Sequence, residues 1–232
     1  MSQGRSAMIV HVYEVPLGPV SDADLHRFTD ALDEAERTRL DRFRFQADRK
    51  KFACAHFALR TLLGRWRGEP PQSVPIEIAS DGKPQLANGP SFSLTHSGGH
   101  AMVAIADKGE IGIDFEELRP LENISGMMAL VCTNNEQSVI EDVADYDERQ
   151  RRFFEIWTRK EAVVKVLRQA REIDFRQLET SGPPFVDDPR TSHGRRVYWY
   201  RLLPSRGIAT LACDQPVEEI HPYLENFCSA HT

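Results

Sequence analysis

Two short stretches decide how this sequence reads: GIDFEELRP at residues 112–120 and FFEIWTRKEAVVK at residues 153–165. In the first, an apolar run leads into Asp114 and Glu116, and the pattern predicts a strand over residues 111–115. Alternate residues of a strand share a face, so the two carboxylates converge. Converging anions repel unless a cation lies between them, and magnesium takes one or two carboxylates with water and phosphate oxygens completing its shell. In the second stretch, Trp157, Ala162 and Val166 set a helical stripe that faces a core. Glu161 and Lys165, four apart, share one face of that helix. A glutamate there can be a third ligand or a base, and a lysine can neutralise charge on phosphoryl oxygens. The plainer alternatives are a solvated strand end and a surface ion pair worth about 0.2–0.5 kcal/mol. Read together, three carboxylates and a lysine point to magnesium-dependent chemistry on a diphosphate.

Outward from these stretches, alternation over residues 8–15 predicts a strand, and Ser21 caps a helix that begins near Asp22. Helical periodicity over residues 47–67 ends at Gly68, Pro70 and Pro71. Strands are expected at 74–79, 92–95 and 101–106, with Asp81-Gly82 as a turn. Thr133 and Glu136 have the spacing of a capping box, and Asp147 opens the long helix that carries Glu161. Two strands, 196–203 and 208–213, follow a loop at 181–194. Both halves run from helix to strands across a polar turn at 107–110. An α+β fold is therefore expected, with two similar α/β halves, 1–108 and 109–232, meeting at a cleft.

The chain has 232 residues, enough for a substantial core, and ordinary hydrophobic and charged fractions of 41% and 28%. It has no apolar run long enough to cross a bilayer and no signal pattern, so a cytoplasmic protein without a membrane partner is expected. Cys54, Cys132, Cys213 and Cys228 are scattered without a CxxC pair, which argues against a zinc site or a disulfide framework. A net charge of −6 argues against non-specific nucleic-acid binding. Basic residues nevertheless crowd residues 37–60, either as a solvated helix face or as a surface for a polyanion or acidic partner.

A third element, FSLTHSGG at residues 92–99, ends a strand in polar residues and two glycines. Its backbone amides and His96 can approach a phosphate closely. Lys83, on the rigid turn of Asp81-Gly82-Lys83-Pro84, is well presented to an anion. The order GKP, SLTHSGG, GIDFE, FFEIWTRKEAVVK resembles the 4′-phosphopantetheinyl transferases, in particular their larger, pseudo-dimeric single-chain group. The resemblance runs from about Arg37 to Phe175, and its motifs are specific in combination.

What the resemblance implies is transfer of the 4′-phosphopantetheine group of coenzyme A to a serine of an apo carrier protein, releasing adenosine 3′,5′-bisphosphate. It places Asp114, Glu116 and Glu161 around Mg2+, with Mn2+ as the alternative ion. Glu161 is also the implied base for the carrier serine, and Lys165 the contact to the phosphates. His96 and Lys83 are implied at the nucleotide end and its 3′-phosphate, with Thr95 near the adenine or phosphates. Arg39 and Arg60 match basic positions of the same anion site, and Glu136 an acidic position nearby. The active site would lie in the cleft of a pseudo-dimer, the first half binding nucleotide and the second holding metal. Such a chain is expected to be a monomer.

Three departures stand out. Thr95 replaces a more frequent serine, and Phe115 a more frequent aliphatic residue. After Lys165, where the family often has a glycine-rich turn, this chain reads VLRQAR at residues 166–171. That stretch predicts a helix running further than usual, with Arg168 and Arg171 toward an acidic carrier protein, a docking role open also to the basic region at 37–60. Two other functions use the same residues: a magnesium-dependent hydrolase of coenzyme A-like diphosphates, and a non-catalytic protein that binds coenzyme A or a carrier.

Overall fold

β-branched alternation at the start of the chain forms β1 (Met8–Pro16), and Ser21 caps α1 (Asp22–Asp30) by accepting from the Asp24 amide. The structure, a computed structural model, describes residues 8–168, 173–190 and 194–228. Next come α2 (Glu34–Asp41) and α3 (Gln46–Arg67), then a small hairpin of β2 (Ile76–Ile78) and β3 (Pro84–Leu86). β4 (Ser91–Ser97) and β5 (His100–Ala106) close the first half. The second half repeats the order with β6 (Ile111–Glu116), α4 (Ile124–Val131), α5 (Asn134–Glu141) and α6 (Tyr146–Leu167). β7 (Phe185–Asp187), β8 (Arg196–Leu202), β9 (Ile208–Cys213) and β10 (Val217–Leu224) follow.

One sheet runs β10-β1-β5-β4 and the other β6-β9-β8-β7. All pairings are antiparallel except that of β10 with β1. β10 was not legible in the sequence: it follows two expected strands and alternates weakly. It returns to the first half's sheet, so a division at residue 108 leaves it across the boundary.

The sheets stack face to face, because Val10, Val12, Met102 and Ala104 of one interlock with Ile111, Ile113, Phe115 and Leu211 of the other. Helices cover both outer faces, α3 through Phe52, Leu59 and Leu63, and α6 through Ala162, Val163 and Val166. The result is an α+β fold of four layers, helix, sheet, sheet, helix.

Two expectations are corrected. Cys54 of α3 is joined to Cys228 as a disulfide, while Cys132 and Cys213 are free and buried. The partners lie 174 residues apart, so only tertiary folding brings them together and spacing carried no sign of it. The long helix also stops only two residues after Lys165. α6 ends at Leu167, with Arg168 as its cap at φ 61°. Arg171 lies outside the described residues.

Candidate functional site

β4 and β6 lie side by side where the two sheets meet. Alternation places Ser93, Thr95 and Ser97 of β4 on one face. Ser93 Oγ accepts from the Ile113 amide (3.1 Å), Thr95 Oγ1 donates to Asp114 Oδ1 (3.2 Å), and Ser97 Oγ donates to Glu116 Oε2 (2.6 Å). Trp157, read from the sequence as packing, also donates its Nε1 to Glu116 Oε1 at 3.3 Å. Sequence reading missed Ser93 and Ser97 and gave Thr95 and Trp157 other roles, because their contacts depend on pairing between elements.

α6 brings Lys165 and Glu161 to the same place. It can do so because β6 has glycine where the helix crosses: a Cβ on Gly112 would lie 2.2 Å from the Ala162 carbonyl oxygen and 2.7 Å from Lys165 Cβ. Lys165 Nζ donates to Asp114 Oδ1 (2.9 Å) and to the Ile113 carbonyl (2.7 Å). Asp114 is only 7% exposed, and its Oδ2 is buried without a hydrogen-bond partner among the described residues. Burial raises the Glu161 pKa, and the charges of Asp114 and Glu116 raise it further against the pull of Lys165. The expected carboxylates and lysine are thus together, although among the described residues no three His, Cys, Asp or Glu side chains stand ready to hold a metal ion as they are.

Beside this cluster opens a cavity of about 580 Å³, bounded by α2, α3, the β2–β3 turn, β4 and the end of α6. Arg39, His56, Lys83, His96, Lys165 and Arg168 line it, with apolar walls from Ile76, Phe92 and Leu94 among others. His96 has its pKa lowered by partial burial and by the nearby charges of His56, Arg39, Lys165 and Lys51. That crowding of cations suits an anion. Arg39 lays its guanidinium over the Phe52 ring at 5.3 Å.

Other expected anion ligands are used differently. Arg60 is fully buried and outside the cavity; its guanidinium donates to Glu36, to Asp33 and to the Pro71 and Val74 carbonyls. It is a structural cation, because no donor of consequence faces an outside ligand. Lys83 lines the cavity, but its ammonium donates to Glu110 (2.8 Å) and to the Ile111 (2.9 Å) and Lys165 (3.0 Å) carbonyls. Those three bonds tie the turn to the start of β6 and to the end of α6. Burial lowers the Lys83 pKa despite Glu110. Thr95 is turned to Asp114 and not into the cavity. The Gly99 amide, expected near a phosphate, donates to Glu117 Oε2 at 2.9 Å.

Arg168 also departs from expectation, bonding Asp81, Glu110 and Gln85 in the cavity wall instead of facing a carrier protein. Glu136 is fully buried; it completes a capping box with Thr133, accepts from the Thr180 amide and pairs with Lys160 Nζ at 2.6 Å. Its role is structural. No helix among the described residues is long and apolar enough to cross a membrane.

Both parts of the chain resemble known proteins. The profile of the 4′-phosphopantetheinyl transferase superfamily matches residues 110–200, and that of the 4′-phosphopantetheinyl transferase N-terminal region matches residues 19–108. The chain is 32% identical over 161 residues to the 4′-phosphopantetheinyl transferase HetI of Nostoc sp., covering 67% of each protein. It is 33% identical over 157 residues to the 4′-phosphopantetheinyl transferase AcpT of Salmonella typhi, covering 66% of this chain and 73% of that one. It is 24% identical over 156 residues to the human L-aminoadipate-semialdehyde dehydrogenase-phosphopantetheinyl transferase, covering 62% of this chain and 50% of that one. With both halves matched in order and the acid–lysine cluster in place between them, the chain belongs to the 4′-phosphopantetheinyl transferase family.

Proposed function

We propose that this protein transfers the 4′-phosphopantetheine group of coenzyme A to a serine hydroxyl of an apo carrier protein, with magnesium, and releases adenosine 3′,5′-bisphosphate. The observation that carries the reading is the meeting of Lys165 with Asp114, whose Oδ2 lacks a partner, at the mouth of a cavity lined by cations. A buried carboxylate oxygen without a donor is costly unless something positive completes it. Oxygen donors from Asp114, Glu116 and Glu161 suit a hard divalent ion, so these residues fit magnesium. Bound there, it would neutralise charge on the diphosphate.

The protein's own groups do the rest. Arg39 and His96 hold the nucleotide end, and the apolar walls receive the base. Ser97 and Trp157 fix Glu116, while Thr95 and Lys165 fix Asp114. The serine oxygen forms a bond to the β-phosphorus of coenzyme A, the bond from that phosphorus to the bridging oxygen breaks, and the bisphosphate leaves with the electron pair. Glu161 accepts the serine proton. Lys165 stays beside the developing charge, so positioning and electrostatics carry the rate, as in other phosphoryl transfers.

The test is a mass spectrum of an apo carrier protein incubated with coenzyme A, magnesium and this protein. A gain of about 340 Da, the size of the arm, is the expected result. Coenzyme A cleaved without any gain across several carriers would replace transfer with hydrolysis.

A further inference from the structure

Arg168, which closes α6, has a backbone that its side chain disfavours. It stands at φ 61° and ψ 172°, a region that glycine enters freely and other residues rarely. Among the described non-glycine residues only Asn88 shares a positive φ, and asparagine tolerates it better than arginine does. The conformation is held from both sides. The Arg168 amide donates to the Val164 carbonyl at 3.0 Å, and its own carbonyl accepts from Arg190 Nη1 at 3.3 Å. A backbone of this kind persists only where its surroundings over-determine it, and it concentrates at functional sites.

The side chain shows what is being held. Its guanidinium donates from Nε to Asp81 Oδ2, from Nη1 to Glu110 Oε1 (3.2 Å) and from Nη2 to Gln85 Oε1 (3.1 Å). Asp81 and Gln85 belong to the β2–β3 hairpin of the first half, whereas Glu110 leads into β6 of the second. Lys83 crosses the same gap in the other direction, from the hairpin to Glu110 and to the Lys165 carbonyl. The apolar anchorage of the hairpin is confined to one end. It belongs to neither four-stranded sheet, its strands are three residues long, and Ile76 and Leu86 tie its open end to the core. No residue from 77 to 85 is buried. Yet Ile78 and the turn at residues 81–84 form one wall of the cavity.

We propose that Arg168 is a positioning residue for substrate binding: it pins the turn of the β2–β3 hairpin to the end of α6, and so sets the wall against which coenzyme A packs. The identity of that ligand rests on the transfer reading above. Arg168 acts through Asp81 and Gln85 and not on the phosphates, because each of its guanidinium nitrogens already donates to the hairpin or to Glu110. A wall freed from this pin is in place for only a fraction of the time, and apparent affinity falls by that fraction.

The experiment pairs calorimetric titration with amide hydrogen exchange on the full chain, for the wild type, Arg168→Ala, Arg168→Gly and Arg168→Lys. The titrants are coenzyme A and dephospho-coenzyme A, and melting temperatures are measured alongside. Arg168→Ala and Arg168→Gly are each expected to weaken both ligands by the same factor, about five- to tenfold, and to speed exchange at residues 76–86 while α3 and β9 exchange as in the wild type. Arg168→Lys keeps the charge and can reach one acid, so its loss should be smaller. Arg168→Gly relieves the backbone and should melt about 2–4 °C above Arg168→Ala while binding no better, which separates strain from pinning. A loss confined to coenzyme A would make Arg168 a phosphate ligand and overturn the proposal. Unchanged exchange in the hairpin, or faster exchange with unchanged affinity, would overturn it as well. If Arg168→Ala melts too low to titrate, Arg168→Gly decides by the same criteria. Wild-type protein that binds neither nucleotide would remove the transfer reading and this proposal together. Wild-type binding matched by every variant would remove this proposal alone.

Discussion

The two long helices, α3 and α6, are 22 residues each and are built alike up to their last turns. Each follows a short helix whose start is a capping box, Asp33 with Glu36 before α3 and Thr133 with Glu136 before α6. Each sends a fully buried cation from the same place along its length to that glutamate, Arg60 to Glu36 and Lys160 to Glu136. One residue further, the helices part. Thr61 returns its hydroxyl to the Phe57 carbonyl of its own helix, whereas Glu161 stands among Asp114, Glu116 and Lys165. Arg65 reaches a half-exposed ion pair with Glu225, whereas Lys165, the corresponding residue of α6, reaches Asp114. α6 also rests directly on its strand at Gly112. A common scaffold thus serves two purposes, and the spacing between helix and strand decides which half carries the acids. The other half supplies the cavity.

The largest expected effects test that division. Asp114→Ala and Glu161→Ala should each lower phosphopantetheinyl transfer about a thousandfold or more, while the melting temperature stays near wild type. Thr61→Ala, the counterpart of Glu161→Ala, should leave the rate within about twofold. A matching loss at Thr61 would erase the asymmetry. Stability should show the opposite symmetry. Lys160→Ala strands the fully buried Glu136, Arg60→Ala removes the buried cation that Asp33 and Glu36 share, and each should cost about 3–5 kcal/mol in urea unfolding. Lys160→Met combined with Glu136→Gln should recover part of that cost, since no charge is then left buried. If Lys160 behaved as an ordinary surface lysine, the likeness between the helices would fail.

How much of this was legible in the sequence follows from range. Asp114, Glu116, Glu161 and Lys165 announced themselves because the periods of strand and helix put charges where apolar residues belong. Thr133 and Glu136 were read as a capping box, which is a local pattern. The matching box at Asp33 and Glu36 was hidden inside a run of charges that also read as a solvated face. Arg60 was misplaced for a related reason: a basic residue in a basic region says nothing about burial, and only α2 folding back on α3 encloses it. Ser93, Ser97 and His56 act on residues far away in the chain, so no local signal marks them. β10 and the Cys54–Cys228 link belong to the same class of long-range pairing.

A middle-sized effect probes the contact of helix and strand itself. Gly112→Ala would press a methyl group into the Ala162 carbonyl, and overpacking of that kind costs about 1–3 kcal/mol. Because the same methyl would meet Lys165 Cβ, transfer should fall as well, through the Lys165–Asp114 contact. Loss of stability with an unchanged rate would show that the spacing does not position the lysine.

The smallest expected effect sets the glutamates of the two halves against each other by sign. Glu161 has its pKa raised, by burial first and then by Asp114 and Glu116, so over the window just above the ordinary value of 4.5 the folded state holds more protons than the unfolded one. Stability therefore falls as pH rises through that window, and at neutral pH the charged Glu161 is a net cost. In metal-free buffer Glu161→Gln should raise Tm by about 1–4 °C at pH 7, a gain that disappears on acidification to pH 4.5 and below. Glu36 is shifted the other way: burial opposes its charge, but His56 and Arg60 more than offset that and lower its pKa. Its contribution is present above pH 4.5 and is lost as pH falls through the lowered value, so Glu36→Gln should reduce Tm at pH 7 and approach wild type in acid. Melting curves between pH 3 and 7, recorded for both variants without metal, read the two slopes directly. Slopes of the same sign would mean that the two glutamates sit in equivalent surroundings, and that the helices differ less than their contacts indicate.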